Sequence, residues 1–323
     1  MTTNSAALRV PFQAQRFHAA LSIPSSGLLS LTWSDLAHAL FVTGRAPGDE
    51  ATYPRLALYE WLHRVAIVPA YLSERGGRVM RTPLADSLDR SEKVNLSYAL
   101  GQAGTGLFCR QRLGVTRLMH VDRYASAHNV SFGPTRRRPD LFGSCSSGWV
   151  VAEAKGRSNN VDAQLPVTLQ QQKGAIRSIG GRTPAVALGC ITFFETRLRE
   201  MQVLAVDPPP DKEGVDLDVD PERFLYAYYG ALLAAIGPGQ QSIRDDGEYV
   251  MAPDLPGALA LGLRRSIFDA VVEARRSGER RLVADEETLT EAMQGGQHGD
   301  GTVVELVLDA GSGLGGRGEG DLR

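Results

Sequence analysis

Residues 185–194 (AVALGCITFF) form a continuous apolar run that contains no charged side chain. Such a run is typical of a β-strand that is covered on both faces, because neither face then meets water. The chain must therefore supply other elements to cover both sides of a sheet. This requirement predicts an α/β fold in which helices flank the sheet.

Two helices are predicted ahead of this strand. Asp89 and Glu92 form the cap-and-glutamate pattern that opens a helix, and Gly114 is placed to end that helix. The second helix is predicted from Pro166, which is tolerated in a first helical turn, to Gly180. Both segments carry apolar residues at helical spacing, so each has a face to pack against a sheet.

Three further strands are predicted between the two helices. Their Val, Leu and Tyr content places them over residues 115–124, 138–142 and 149–155. A turn at 143–148 (GSCSSG) joins the last two. The predicted order is therefore α, β, β, β, α, β, which indicates a mixed sheet flanked by helices.

Other regions surround this core. A length of 323 residues leaves room for more than one compact unit, since domains usually contain about 100–200 residues. We expect a helical N-terminal region over residues 1–88 and the core over residues 89–206. An acidic Pro-rich linker is expected over residues 207–221, followed by an α/β or helical C-terminal region over 222–310 and a disordered tail over 311–323. Helices are predicted within the additions over residues 54–68, 221–236 and 257–276, so the additions are expected to be mainly helical.

The composition indicates a globular, cytoplasmic protein. Apolar residues make up 43% of the chain and charged residues 22%, as in ordinary soluble domains. The most apolar helical run, residues 227–236, is far shorter than the roughly 20 residues that span a bilayer, and the N-terminus lacks a signal-peptide pattern. No membrane segment is expected. Cys109, Cys145 and Cys190 form no CxxC pair, which indicates buried or half-buried free thiols.

Charge is distributed unevenly along the chain. The formal net charge of −2, taken alone, argues against a dedicated nucleic-acid-binding protein. Residues 110–182, however, contain twelve Lys and Arg against four Asp and Glu. A segment with this excess can form a surface that binds a polyanion, although a solvated basic face explains the count equally well.

Glu153 and Lys155 are the most chemically informative residues of the predicted strands. Side chains alternate between the two faces of a strand, so these two project to the same face. Charged groups are unusual in a strand this apolar, because unpaired buried charge is costly. Asp140 lies on the preceding strand, and the short turn is expected to bring it beside Glu153.

Two converging carboxylates suit a divalent metal ion. Mg²⁺ takes oxygen ligands, typically one or two carboxylates together with water and substrate phosphate. Asp140 and Glu153 are therefore the candidate ligands for Mg²⁺, with Mn²⁺ as a second candidate ion. Lys155 is expected to stabilise the phosphate charge or to help deprotonate the attacking water.

The motif consists of Pro139-Asp140, twelve intervening residues and Glu153-Ala154-Lys155. It resembles the PD-(D/E)xK signature of the restriction-endonuclease-like superfamily. The resemblance implies an αβββαβ core, which is the order derived above without the motif. It also implies hydrolysis of phosphodiester bonds, with Mg²⁺ held by the Asp and the Glu while the Lys assists the water.

The resemblance implies supporting residues as well. An acidic residue of the first helix and a Gln of the second contribute in some members, which implies Glu92 and Gln172 as further catalytic residues. A full QxxxY element is absent. The basic residues around the motif are the candidates for contacting nucleic-acid phosphates: Arg136, Arg137, Arg138, Arg157, Lys173 and Arg177.

These features lead to a Mg²⁺-dependent endonuclease that acts on nucleic acid, expected to be DNA, in restriction, phage defence or repair. It would work as a homodimer or with a partner protein of such a system. The alternative is a non-catalytic nucleic-acid-binding or protein-interaction module that retains the fold, or an unrelated α/β protein in which Glu153 and Lys155 form a surface pair. Intact Asp140, Glu153 and Lys155 favour the nuclease, because a binding role does not need all three. His120, in a predicted strand near the motif, is interpreted as structural.

Overall fold

The computed structural model describes residues 7–44, 54–127, 139–161, 176–207, 215–237, 242–244, 246–252 and 259–306. Within these residues no helix has both the length and the apolar character that crossing a membrane requires.

The strands of this part of the chain are β1 (Leu8–Gln15), β2 (Ser26–Leu31), β3 (Leu72–Arg75), β4 (Arg78–Arg81), β5 (Leu118–His120), β6 (Leu141–Cys145), β7 (Gly148–Arg157), β8 (Ile176–Ile179), β9 (Val186–Phe194), β10 (Met201–Val206), β11 (Val215–Leu217), β12 (Ser242–Ile243), β13 (Tyr249–Met251), β14 (Leu259–Arg264) and β15 (Thr302–Leu306). The α-helices are α1 (Trp33–Val42), α2 (Pro54–Tyr71), α3 (Pro83–Ser87), α4 (Arg90–Phe108), α5 (Val121–Ala127), α6 (Pro221–Ile236), α7 (Arg265–Ser277) and α8 (Glu287–Gln294).

A nine-stranded mixed sheet forms the centre of the molecule. Its order is β3-β4-β1-β10-β9-β7-β6-β5, with β2 also paired to β1. β5, β6 and β7 form an antiparallel meander, whereas β7 and β9 run parallel. The apolar run predicted as a doubly covered strand is β9, which lies between β7 and β10. The predicted α/β class, with a mixed sheet flanked by helices, is thereby confirmed.

Helix α4 packs closely against β7 and β9. A Cβ atom at Gly101 would lie 2.6 Å from the main-chain nitrogen of Gly156, and a Cβ atom at Gly156 would lie 1.6 Å from the carbonyl oxygen of Ser97. Only glycine allows the two backbones to approach this far. The helix begins after Asp89, which forms a capping box with Glu92, as the sequence predicts. α4 is therefore held at a fixed position over the C-terminal half of β7.

An aromatic cluster joins α6 to the central sheet. The ring of Phe224 packs edge-on against Phe142 of β6 and Trp149 of β7, with centroid distances of 5.3 and 5.4 Å. Tyr124 of α5 packs against Phe142 at 5.1 Å. Rings in this T-shaped arrangement contribute more than their buried area alone. The C-terminal region therefore shares one hydrophobic core with the sheet.

A buried polar network connects α1 with the segment between α8 and β15. Asp300 is fully buried and accepts hydrogen bonds from the hydroxyls of Tyr228 at 2.7 Å and Thr302 at 2.6 Å. The Nε2 atom of His38 lies 3.0 Å from Asp300 Oδ2. Burial, together with the neighbouring His298, lowers the pKa of His38 to about 4. The imidazole of His38 is therefore neutral at pH 7, and it donates a hydrogen bond to a carboxylate rather than forming an ion pair.

The same network continues through a second histidine. The imidazole of His298 stacks on that of His38, with centroids 3.9 Å apart and planes inclined by 15°. The Nδ1 atom of His298 lies 3.2 Å from Asp35 Oδ1, and Arg110 donates to the same oxygen at 2.7 Å. Residues from α1, the end of α4 and the C-terminal segment thus meet in one buried cluster.

The structure corrects the expectation that the N-terminal region is helical. Residues 54–71 form the predicted helix, but the first 88 residues also contain β1 to β4. β1 pairs in parallel with β10, which the sequence analysis placed in no element, and antiparallel with β2. The N-terminal region therefore contributes strands to the same sheet as the predicted core.

Three local predictions also need correction. Residues 121–127 form α5 rather than the end of a strand; the hydrogen bond from the main-chain nitrogen of Val121 to the carbonyl of Asp140 joins this segment to the chain just before β6. Residues 176–179 form β8, which pairs with β11, rather than the end of a helix. Residues 259–264 form β14, which lies between β13 and β15 in a second sheet, and only the following residues are helical. The predicted helix at 221–236 is confirmed as α6.

Parts of other predictions lie outside the described residues. They are the second core helix up to residue 175, the middle of the acidic linker and the tail from residue 307 onward. The free thiols are as expected, since Cys109 and Cys190 are buried and Cys145 is half-buried.

Candidate metal and phosphodiester site

The hairpin of β6 and β7 brings Asp140 and Glu153 together. Its turn consists of two residues between the paired Cys145 and Gly148. Leu141 pairs with Ala152 in this antiparallel ladder, so Asp140, one residue earlier, lies opposite Glu153. Directly opposed residues of an antiparallel pair have Cβ atoms about 5 Å apart. The two carboxylates that the motif singled out are therefore cross-strand neighbours.

Asp140 is held by the main chain around it. Its Oδ2 accepts a hydrogen bond from the main-chain nitrogen of Ala154 at 2.9 Å, and its carbonyl oxygen accepts one from Val121 at 2.9 Å. Burial raises the pKa of the Asp140 carboxyl, while the bond from Ala154 and the charge of Lys155 act in the opposite direction. The carboxylate is thus fixed in place where β6 begins.

Glu153 is buried beneath Lys155. It is 1% exposed, and its Oε1 lies 2.5 Å from Lys155 Nζ. Its other oxygen, Oε2, is buried without a hydrogen-bond partner among the described residues. Burial and the nearby charge of Asp140 raise the pKa of Glu153 to about 7, although Lys155 opposes them. Glu153 is therefore buried rather than solvated, and it is paired with the partly exposed Lys155.

A cavity of about 400 Å³ reaches β5, the strand that pairs with β6. It lies between α2 and α4 and extends to His120, which pairs with Leu141 next to Asp140. Its polar and aromatic wall is formed by Glu60, His63, Arg64, Tyr71, Glu92, Asn95, Tyr98, Gln102, His120 and Arg123. The cavity is therefore a concave surface that reaches the strand next to the motif.

The supporting residues implied by the resemblance have different surroundings. Glu92 lies on the cavity wall, and its Oε2 accepts a hydrogen bond from the main-chain nitrogen of Asp89 at 3.0 Å. This contact gives Glu92 a structural task at the start of α4, and its catalytic role stays a prediction. Gln172 lies outside the described residues.

Only some of the basic residues that are predicted to contact nucleic-acid phosphates lie within the described residues. Arg136, Arg137, Arg138 and Lys173 lie outside the described residues. Arg157 is exposed at the end of β7, next to the motif. Arg177 forms two side-chain contacts with Asp216 on the neighbouring strand, so its charge is largely matched.

Several other arginines of the basic segment hold the fold together. Arg110 is bound to Asp35. Arg112 packs over the ring of Phe12 at 4.7 Å. Arg117 donates to the hydroxyl of Tyr229 at 3.0 Å. In the described part of the segment, these three cations are therefore engaged within the fold rather than offered on an exposed basic surface.

Metal-ligating groups are few in the described part of the chain. No cluster of three or more His, Cys, Asp or Glu side chains there is arranged to hold a metal ion. Asp140 and Glu153 offer two carboxylates, and any ion between them would need water or substrate for its remaining ligands.

Comparison of the chain with protein-family models, with curated proteins and with solved structures found no match.

Apart from Glu92, sequence reasoning did not assign a function to the cavity residues. Tyr98 and Gln102 lie on α4 within an apolar pattern and carry no motif. Arg64 and Arg123 come from helices on either side of the predicted first core helix. His120 was assigned a structural role, whereas it lines the cavity. The one signal for this region was the pair Gly101 and Gly156, whose meaning depends on a close approach between α4 and β7 that only the fold reveals.

Proposed function

We propose that this chain is a divalent-metal-dependent nuclease that hydrolyses phosphodiester bonds at Asp140, Glu153 and Lys155. The observation that carries the proposal is the buried Oε2 of Glu153, which has no hydrogen-bond partner among the described residues. An unsatisfied buried carboxylate oxygen destabilises a fold, typically by about 1–3 kcal/mol or more. A metal ion bound beside Asp140 would satisfy this oxygen.

The donor set fits Mg²⁺ or Mn²⁺. Both ions accept hard oxygen ligands, and Mg²⁺ is often bound by only one or two carboxylates, with water and phosphate completing its shell. Asp140 and Glu153 supply that number from neighbouring strands. When bound, the ion would supply a polarised phosphate and an activated water.

The order of elements supports a restriction-endonuclease-like core. Helix α4 is followed by β5, β6, β7 and β9, with the short helix α5 inserted between β5 and β6 and the short strand β8 before β9, and β7 and β9 run parallel. The segment predicted as the second helix of this core lies mostly outside the described residues, and its described end, residues 176–179, is the strand β8. Asp140 directly before β6 and Glu153 and Lys155 on β7 are compatible with a PD-(D/E)xK motif and support the proposal to that extent.

Each side chain has a distinct task in this proposal. The bond from Ala154 keeps Asp140 directed toward Glu153. Lys155 holds its protons at Nζ and places a positive charge beside Glu153, where it can stabilise negative charge that develops on the phosphate. Hydrolysis then forms a bond from the water oxygen to phosphorus and breaks the bond from phosphorus to the leaving oxygen, which takes up a proton.

A cleavage assay tests the proposal. Purified protein is incubated with supercoiled plasmid and with single-stranded DNA and RNA, in Mg²⁺ or Mn²⁺ and in EDTA. We expect cleavage in the metal-containing samples alone and its loss in Glu153→Gln, which keeps the side-chain shape but removes the charge. Glu273→Gln, at an exposed ion pair on α7, is the matched control and should cut normally.

If no nucleic acid is cut under any divalent metal, the non-catalytic module replaces the nuclease as the best account. If Glu153→Gln cuts as well as the unmodified protein, the activity belongs to another site. Either result contradicts the assignment of Asp140, Glu153 and Lys155 as the site of phosphodiester hydrolysis.

A further inference from the structure

The cavity between α2 and α4 has a chemically mixed wall. Two guanidinium groups, from Arg64 and Arg123, are balanced by the carboxylates of Glu60 and Glu92. A phosphate would meet two negative charges in such a space. A neutral ligand that both donates and accepts hydrogen bonds matches this wall better.

Aromatic side chains add flat surfaces to the same space. Tyr98 lines the cavity and is 49% exposed, so one face of its ring is available to a ligand. Tyr71, at the end of α2 on the opposite side, also lines the cavity and is half-buried. An exposed tyrosine beside a cavity is a common stacking surface for a nucleobase, because every base presents a π-face.

Hydrogen bonds keep this wall in place. The buried Gln102 donates from Nε2 to the hydroxyl of Tyr98 at 2.8 Å, and its Oε1 accepts from Arg64 at 2.8 Å. Arg64 in turn donates to the carbonyls of Leu40 and Thr43. The hydroxyl and ring of Tyr98 are therefore positioned before any ligand arrives, which reduces the entropy lost on binding.

The cavity lies next to the proposed reacting centre. His120 pairs with Leu141, the residue after Asp140. Ser97, which precedes Tyr98, contacts Gly156, the residue after Lys155. A nucleotide whose phosphate lay at Asp140 and Lys155 could therefore direct its base toward Tyr98. The Nδ1 atom of His120 is buried without a hydrogen-bond partner in the described part of the chain and offers a polar contact along this path.

We infer that the cavity accepts one unstacked nucleobase and that the substrate is consequently single-stranded nucleic acid at the site of cleavage. The inference rests on the proposed function and specifies its substrate. A volume of about 400 Å³ falls within the roughly 300–1,000 Å³ range of small-molecule sites. Bases of an intact duplex are stacked and would first have to be extruded, which costs a few kcal/mol.

Binding can be measured apart from cleavage. Fluorescence anisotropy in EDTA compares a short labelled single-stranded DNA with a duplex of the same sequence. We expect the single strand to bind more tightly. Tyr98→Ala should weaken its binding by about 5- to 100-fold, the range expected for loss of one base–aromatic stack. Tyr98→Phe keeps the ring and should retain most of the affinity.

Val272→Ala is the control, because Val272 is 40% exposed on α7, outside the cavity. This variant should bind like the unmodified protein. A single strand that carries iodouracil gives a second, direct readout, since ultraviolet irradiation should crosslink it to the peptide that contains Tyr98. Circular dichroism of each variant shows whether the fold is intact.

The outcomes separate this inference from the proposed function. Equal binding of single strand and duplex, unchanged binding by Tyr98→Ala, or a crosslink outside the cavity overturns the inference, even if metal-dependent cleavage occurs. Loss of binding in Tyr98→Ala together with a crosslink at Tyr98 supports the inference. That support holds even if Glu153→Gln shows that cleavage takes place elsewhere.

Discussion

Asp140 accepts a hydrogen bond from the main-chain nitrogen of Ala154 at 2.9 Å, so its carboxylate supports β7 as well as facing Glu153. The two tasks can be separated by substitution. Asp140→Asn retains a carbonyl oxygen that can accept this bond but is a much weaker ligand for a metal ion. Asp140→Ala removes both functions.

We expect both variants to lose metal-dependent cleavage, and only Asp140→Ala to lose stability. The unpaired amide of the buried Ala154 should lower the free energy of unfolding by about 1–3 kcal/mol. Urea denaturation measures this loss. Equal stability of the two variants would show that the bond to Ala154 contributes nothing to the fold.

Lys155 should differ from Asp140 in its response to metal. Lys155→Ala removes a charge that stabilises the transition state without being a metal ligand, so we expect cleavage to fall by about 10²–10³-fold. Raised Mg²⁺ or Mn²⁺ should not restore it. Asp140→Ala removes a ligand, and higher metal concentrations should restore part of its activity by mass action.

The rate of cleavage as a function of metal concentration checks this difference. Arg157→Ala, which removes the exposed cation next on the same strand, is the control and should retain the metal dependence of the unmodified protein. Full metal rescue of Lys155→Ala would make Lys155 a contributor to metal binding instead.

The placement of Asp140 beside Glu153 could be predicted from the sequence because it depends on local structure. The turn predicted over residues 143–148 is shorter in the structure, because residues 143–145 belong to β6 and Gly148 to β7. The two residues that remain keep the strands of the hairpin in one register. The helix that follows Asp89 was predictable for the same reason, since its capping box is contained within four residues. In each case the determining contacts lie close together in the chain.

Contacts between residues that are far apart in the chain leave no such local pattern in the sequence. His38 and Asp300 are separated by 262 positions, and neither has neighbours that indicate a partner. The parallel pairing of β1 with β10 likewise joins the N-terminal region to the end of the predicted core. For residues 259–264, a short apolar run fits both a strand and a helix, and only the partners β13 and β15 decide between them.

The contact between α4 and β7 should tolerate no added side-chain atom. In Gly156→Ala the new Cβ would overlap the carbonyl oxygen of Ser97, so the helix or the strand must move. We expect the free energy of unfolding to fall by about 1–3 kcal/mol, as for other overpacked sites. Thermal or urea denaturation measures the change.

Gly230→Ala is the matched control. Gly230 lies within α6, and a Cβ there would meet no atom within 4 Å. Replacing a helical glycine by alanine should raise stability by about 0.5–1 kcal/mol. If Gly156→Ala lowers the free energy of unfolding by less than an ordinary surface substitution does, α4 can shift freely over β7.

The stacked pair His38 and His298 should make the fold sensitive to mild acid. Burial lowers the pKa of His38 from 6.5 to about 4, so the unfolded chain binds a proton between these values and the folded chain does not. The free energy of unfolding therefore rises with pH across this window and falls on acidification. The full effect is about 3 kcal/mol, since one pKa unit corresponds to roughly 1.4 kcal/mol.

Other groups in the molecule must be separated from this effect. The lowered pKa values of Asp35 and Asp300 also reduce stability in acid, but mainly below their usual value of 3.8. Glu153 acts in the opposite direction, because its pKa is raised from 4.5 to about 7 and the folded state gains a proton as the pH falls. The difference between the unmodified protein and a His38 variant isolates the contribution of His38.

Urea denaturation between pH 4 and pH 7 measures that difference, with His38→Gln as the variant. Gln can still donate a hydrogen bond to Asp300, but it does not titrate, so the fall in stability on acidification should be smaller by up to about 3 kcal/mol. Gly230→Ala, which alters stability without adding or removing a titratable group, should leave the pH dependence unchanged. Because His38→Gln also alters packing beside His298, its stability at pH 7 is expected to be lower, and the comparison concerns the slope alone. Parallel curves for His38→Gln and the unmodified protein would show that His38 titrates alike in the folded and unfolded states, which would contradict its burial beside Asp300.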